Sequence, residues 1–381
     1  MKGLSWTQHF LDTMREECDP PADEAVRTLF QQQKVQAANA LMKQLVVNEN
    51  VSLEMLAPPL RGYFERSGQL PSWAEPDLIQ QGEQVFGRYG PQVLTSLFCA
   101  SLPSCYAAAK GVQVLHLTAR LETDAHRRIV ETGQMIVDVM APGGLAIGGR
   151  GLRSTQKVRL MHAAVRYLIH RSGRWDPAWN QPINQEDMAG TLLSFSTTVL
   201  QSLERMGCEL SDAERQAYYH AWRVVGYVMG IDERLLPEKW EDGVRLEELI
   251  KQRQYGATAE GQSLTQALLK LLEHIAPGNI FDGMPVALMR HLIGDATADL
   301  LAVPKTDWTR LLIGPLKVLG WVTDTVADLQ GRQAARLTEL FGRKVVEGLF
   351  WVNRGPERVP FRLPTVLRES WDVRGWELGE L

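Results

Sequence analysis

The sequence predicts an all-α fold around one large core. Apolar residues recur at helical spacing along most of the chain, and strand-like alternation is scarce. A hydrophobic content of 45% against 23% charged residues supplies enough apolar side chain to fill such a core. At 381 residues the length allows one large domain or two or three of about 150 residues. No fixed-period repeat is present, which argues against a solenoid. The chain divides into an N-terminal helical segment (1–59), a core (60–300) and C-terminal helices with an irregular tail (301–381).

The elements follow in order. Val26, Leu29, Phe30, Val35, Ala38, Leu41 and Leu45 stripe an amphipathic helix over 23–48. Breaks at Ala57-Pro58-Pro59 and Leu70-Pro71-Ser72 precede three or more helices over 76–140, interrupted near Gly90-Pro91, Leu102-Pro103-Ser104 and Gly111. The glycine-rich stretch 142–151 is a loop, 154–171 a helix, and 173–182 a Trp-containing turn. Asn184 with Asp187 marks a helix start, and Ser211 with Glu214 marks another running to Met229. After a turn at 232–237, helices cover 244–253, 261–275, 284–302 and 308–350, the last interrupted at Gly314-Pro315 and Gly320.

Charge and cysteine usage exclude several classes. Lys+Arg number 41 against 45 Asp+Glu, a net charge of −4, so no global positive field collects nucleic acid. Cys18, Cys99, Cys105 and Cys208 form no C-x-x-C pair, which excludes a disulfide framework and a thiolate zinc site. The N-terminus carries no apolar leader, and the longest apolar stretch, 311–322, is interrupted by Pro315 and Lys317. A cytoplasmic chain with at most peripheral membrane contact is expected.

The glycine loop contains neither a strand-preceded G-x-G-x-x-G nor a P-loop pattern, so a helix connection explains it better than a phosphate site. Thr191, Ser194, Ser196, Thr197 and Thr198 lack a nucleophile elbow and suit helix back-bonding or solvent. His162 stands out because Val158, Val165 and Ile169 share its helix face, with Arg159 and Arg166 on its flank. An imidazole between aliphatics and guanidiniums suits a haem, with the ring nitrogen on iron and an arginine on a propionate. A core histidine bonded to a carbonyl, beside two surface arginines, is the ordinary alternative. Arg128, Thr132, Met135 and Val139 form a second stripe, polar at its start like the mouth of a buried pocket, with His126 and Glu131 nearby. An exposed first turn explains that stripe equally. Trp222, Tyr219 and Met229 read as core packing.

The block Arg128-x-x-Glu131-Thr132, followed by the helix Val158-Arg159-Leu160-Met161-His162-Ala163-Ala164-Val165-Arg166, resembles the rubber-oxygenase family. This is the catalytic domain shared by latex clearing protein and the mycophenolic-acid-pathway oxygenase. The stretches 101–108, 184–190 and 222–230 look like further parts of the pattern, and the likeness covers roughly 60–275. The resemblance implies a single globin-like helical domain enclosing one haem b, with His162 as the proximal iron ligand and Arg128 and Thr132 as a polar pair near it. It also implies dioxygen as co-substrate and an apolar unsaturated small molecule cleaved at a carbon–carbon double bond into carbonyl products. Where latex clearing proteins carry a lysine just before the threonine, this sequence has Glu131. That departure speaks against lysine ligation. Glu131 is the candidate base, with Arg128 favouring its charged form, and simple pairing with Arg128 or a place facing solvent is the ordinary alternative. Other classes remain: a haem carrier, sensor or weak peroxidase, or a haem-free scaffold using Trp308, Leu311, Leu312, Leu316, Val318, Leu319 and Trp321 as an interfacial surface.

Overall fold

The computed structural model describes residues 6–32, 58–118, 120–275, 283–306, 328–352 and 364–371. Every regular element among them is helical, apart from one bridge between Ala108 and Tyr255. Thr7 caps α1 (Gln8–Glu16) by accepting from the Phe10 N–H, and α2 (Pro20–Gln32) follows after a short elbow. The rest of the helix expected over 23–48 lies outside the described residues. Next come α3 (Pro58–Ser67) and α4 (Pro76–Ser96). The break expected at Gly90-Pro91 is a kink instead: Tyr89 takes φ −114°, ψ 16°, and the helix continues through Pro91. One distorted residue absorbs the missing N–H and the ring clash. A π-helical turn (Leu97–Ser101) leads into α5 (Leu102–Ala107), whose first turn holds Pro103. Gly111 then opens α6 (Val112–Leu117).

The long pair α7 (Arg120–Met140) and α8 (Arg150–Ser172) flanks the glycine loop, and α8 ends at Gly173 with φ +65°. The helix expected from Asn184 is two, α9 (Gln185–Phe195) and α10 (Thr197–Arg205), divided at Ser196. Then follow α11 (Asp212–Val228), α12 (Trp240–Gln254), α13 (Ala259–Ile275), α14 (Met284–Leu300), α15 (Asp328–Val352) and α16 (Thr365–Ser370). Helix α14 bends at Gly294, which has φ +79°. The candidate interfacial residues 308–321 lie outside the described residues. Among the last thirty residues, which were expected to be an irregular surface tail, α16 is ordered and Trp371 is buried edge-on against Phe86. Gly90 makes this possible, since a Cβ there would lie 1.7 Å from the Trp371 ring.

Helix α4 packs along α11, α15, α10 and α7, and it forms the spine of the main apolar cluster running from Leu11 to Trp371. A second cluster joins α2, α3 and the back of α8 through Val26, Leu29, Tyr63, Phe64 and Leu160. The bundle thus buries both sides of α8, the helix that carries His162.

A buried histidine anchors the start of α4. His220 Nε2 accepts the Glu75 N–H at 3.0 Å, with Trp73 edge-on to its ring. Burial and then the Arg223 charge hold its pKa below the usual histidine value. The unfolded chain therefore binds the proton more readily, and His220 subtracts stability as pH falls below about 6.5. The unfolding midpoint should fall more steeply between neutral and mildly acidic pH in wild type than in His220→Gln. Parallel curves would rule out that coupling.

Candidate active site

The site begins with the turn between α7 and α8. Gly143 (φ +74°) and Gly148 (φ +80°) take left-handed conformations, and a Cβ on Gly151 would lie 2.5 Å from the Val139 Cα. Only glycine permits this turn and this approach. The loop's Gly143 N–H is held by the Glu83 carboxylate at 3.0 Å. Burial raises the Glu83 pKa, and the loop's N–H groups oppose that shift. An internal carboxylate occupying the loop agrees with the helix-connection reading rather than a phosphate site. On α7, Asp138 accepts from Ser154 on α8 at 3.0 Å and from Arg150 at 3.3 Å. The turn and this tie fix the register between the two helices.

That register brings both predicted stripes to one cavity of about 330 Å³, within the range of small-molecule and cofactor sites. Val158, Met161, His162 and Val165 line it from α8, and Ile129, Glu131, Thr132 and Met135 from α7. Ile169 shares the His162 face but points into the core. The side chains of Arg128 and His126 lie outside the described residues. Helix α11 adds Trp222, Val225 and Met229, so two residues read as core packing are also cavity wall.

Arg159 and Arg166, expected to pair with a propionate, are not among the residues that line the cavity. Arg159 grips Asp19 through two hydrogen bonds of 2.6 and 2.7 Å and donates to the Val228 carbonyl at 3.0 Å. Arg166 holds Asp23 at 2.9 Å and the Ile183 carbonyl at 2.7 Å. Both guanidiniums thus fasten the N-terminal elbow and the start of α2 to the flank of α8 beside His162.

The wall formed by α9 and α12 carries a set of polar side chains among apolar ones, and sequence reasoning missed them. It contributes Asp187, Thr191, Glu247, Lys251 and Gln254, continued by Tyr255. Asn184 caps α9 by accepting from the Asp187 N–H at 2.9 Å, as its spacing predicts. The Asp187 carboxylate also accepts from Arg15 at 2.8 Å and from the Asn184 side chain at 2.8 Å. Its neighbour Glu186 is fully buried and receives Arg253 at 2.7 Å. Burial outweighs these cations and raises the pKa of both carboxyls. Glu247 pairs with Lys251 at 2.9 Å and accepts from Thr197 at 2.7 Å and from Thr198. Thr191, Ser194 and Ser196 each donate to a backbone carbonyl three or four residues earlier, so the back-bonding expectation holds for them, whereas Thr197 and Thr198 turn to Glu247.

Among the described residues, the helical bundle brings the His162 imidazole and the Glu131 carboxylate to the wall of one cavity. The model of the ER-bound oxygenase mpaB/B'/rubber oxygenase catalytic domain matches residues 92–325, and the chain belongs to that family. Rubber oxygenase of Streptomyces sp. (strain K30) is 26% identical over 294 residues, covering 75% of this chain and 71% of that protein. The structure of latex clearing protein LCP in the closed state superposes with a TM-score of 0.63 at 22% identity, covering 85% of this chain and 90% of that one. The fold is therefore shared with latex clearing protein, and the chain is an oxygenase. Among the described residues, no helix is long and apolar enough to cross a membrane.

Proposed function

We propose that this oxygenase holds one haem b through His162 and uses dioxygen to cleave a carbon–carbon double bond of an isoprenoid or similar unsaturated lipid into carbonyl products. The observation that carries the reading is His162 on the cavity wall among Val158, Met161 and Val165. The residues fit the group. Among the described residues no three His, Cys, Asp or Glu side chains converge on a metal position. A lone imidazole suffices for an iron that arrives with four porphyrin nitrogens, and apolar walls suit the macrocycle. The Nδ1 atom of His162 is buried in protein, and its ring lines the cavity. When bound, the haem supplies dioxygen activation and the oxidative chemistry.

The chain's own residues hold and orient the reactants. Ile129, Met135, Val158 and Val165 keep the alkene in a water-poor space, and Thr132 places a hydroxyl beside it. Glu131 is the only carboxylate that α7 and α8 present to the cavity among the described residues, and it is the group proposed to take an allylic proton. Purified protein supplemented with haem should show a Soret band and convert an unsaturated isoprenoid to aldehyde or ketone fragments. A Soret band without such products would instead favour a haem carrier, sensor or weak peroxidase. Glu131→Gln should retain the pigment and lower turnover about a hundredfold, the usual scale for losing a general base. Unchanged turnover in that variant would remove Glu131 from the chemistry.

A further inference from the structure

Helices α7 and α8 pack on each other and present Ile129, Met135, Val158, Met161 and Val165 around His162, whereas α9 and α12 pack on each other and set the polar Asp187, Thr191, Glu247, Lys251 and Gln254 among apolar neighbours. Hydrogen bonds within the protein account for the charges on the α9–α12 wall. Asp187 is matched by Arg15, Glu247 by Lys251, and Glu186 behind them by Arg253. At the edges, Asp12 pairs with Arg253, and Lys110 donates to Asn180 at 3.0 Å. Each of Asp187, Glu247 and Glu186 thus has a cation of its own, and none of Arg15, Lys251 and Arg253 is left over.

We propose that the α9–α12 wall is a head-group subsite for a neutral, hydroxyl-bearing end of the substrate, so that the substrate class is an unsaturated lipid alcohol. The inference rests on the cavity being the site of alkene cleavage. A plain hydrocarbon end would strip water from Asp187, Thr191 and Lys251 and offer no hydrogen bond in return. A carboxylate or phosphate head would bring a further negative charge into a partly buried wall whose cations are already committed. A hydroxyl carries no charge, can donate to a carboxylate oxygen and can accept from an ammonium or another hydroxyl. The cavity lining includes such partners: the Asp187 carboxylate, the Lys251 ammonium, and the Thr191 and Tyr255 hydroxyls. With the head held there, the chain extends past Trp222 and Val225 of α11, which packs against both α8 and α9, towards His162.

The test is calorimetric titration of the full chain, supplemented with haem, using three isoprenoids of equal length: farnesol, farnesoic acid at neutral pH and the hydrocarbon β-farnesene. Farnesol should bind at least about tenfold more tightly than either of the others, the scale of one or two net hydrogen bonds. Lys251→Met would strip Glu247 of its cation and can unfold the chain, so the milder Thr191→Val and Tyr255→Phe carry the mutational arm. At least one should weaken farnesol about fivefold while leaving β-farnesene unchanged. β-Farnesene or farnesoic acid binding as tightly as farnesol would overturn the proposal, as would both variants leaving farnesol affinity intact. The Soret band of the same sample reports haem binding separately. Its absence would withdraw the haem reading, while the heat of binding still decides the preference for an alcohol.

Discussion

His162→Ala is expected to purify as a folded but colourless protein with turnover at background. Substitutions behind a metal ligand typically cost about ten- to a hundredfold, so removing the ligand itself should exceed about a hundredfold. Most of α8 is held by other contacts: Leu160 and Ala163 pack in the second apolar cluster, and Arg159 and Arg166 are tied to the N-terminal elbow. Circular dichroism of the variant should therefore match wild type, which separates lost ligation from lost structure. His162→Gly with added imidazole should recover part of the Soret band, because the free ring can enter the space vacated by the side chain. A variant that keeps the wild-type Soret position and intensity would move the ligand elsewhere and withdraw the proposed function with it.

Local rules in the sequence reach as far as single helices. Ser211 and Glu214 form the capping box their spacing suggests, with the Glu214 carboxylate accepting the Ser211 N–H at 2.8 Å. The period of 3.6 residues places Val158 and Val165 beside His162 on the cavity wall, and the glycine loop closes α7 onto α8. The polar side chains of the α9–α12 wall were hidden for a physical reason. Glu247 and Lys251 are four apart on one helix, the pattern of any solvated surface pair. Asp187 sits where a helix cap wants an acid, so its cap role masks its place in the cavity. Only the packing of α9 on α12 turns these ordinary positions inward. The ion pairs of the two arginines were out of reach for another reason. The partners of Arg159 and Arg166 lie 140 and 143 residues away, beyond the reach of any periodicity argument.

Arg159→Met is expected to cost about 3–5 kcal/mol of stability, the scale for stripping one partner from a buried ion pair. Asp19 is only 3% exposed, and its carboxylate takes both guanidinium bonds in a fork. Methionine leaves that charge without a cation, and the Val228 carbonyl loses a donor as well. The double variant Asp19→Leu with Arg159→Met should regain much of the loss, because two apolar groups replace two charges with no orphan left. Denaturant titration of the four proteins gives the coupling directly. The same set tests where Arg159 works: one turn before His162, it would weaken haem binding if it served a propionate. With the guanidinium turned to Asp19, Arg159→Met kept folded at low temperature should still bind haem with the wild-type spectrum. Loss of haem from folded Arg159→Met would return that arginine to the cofactor and contradict its commitment to Asp19.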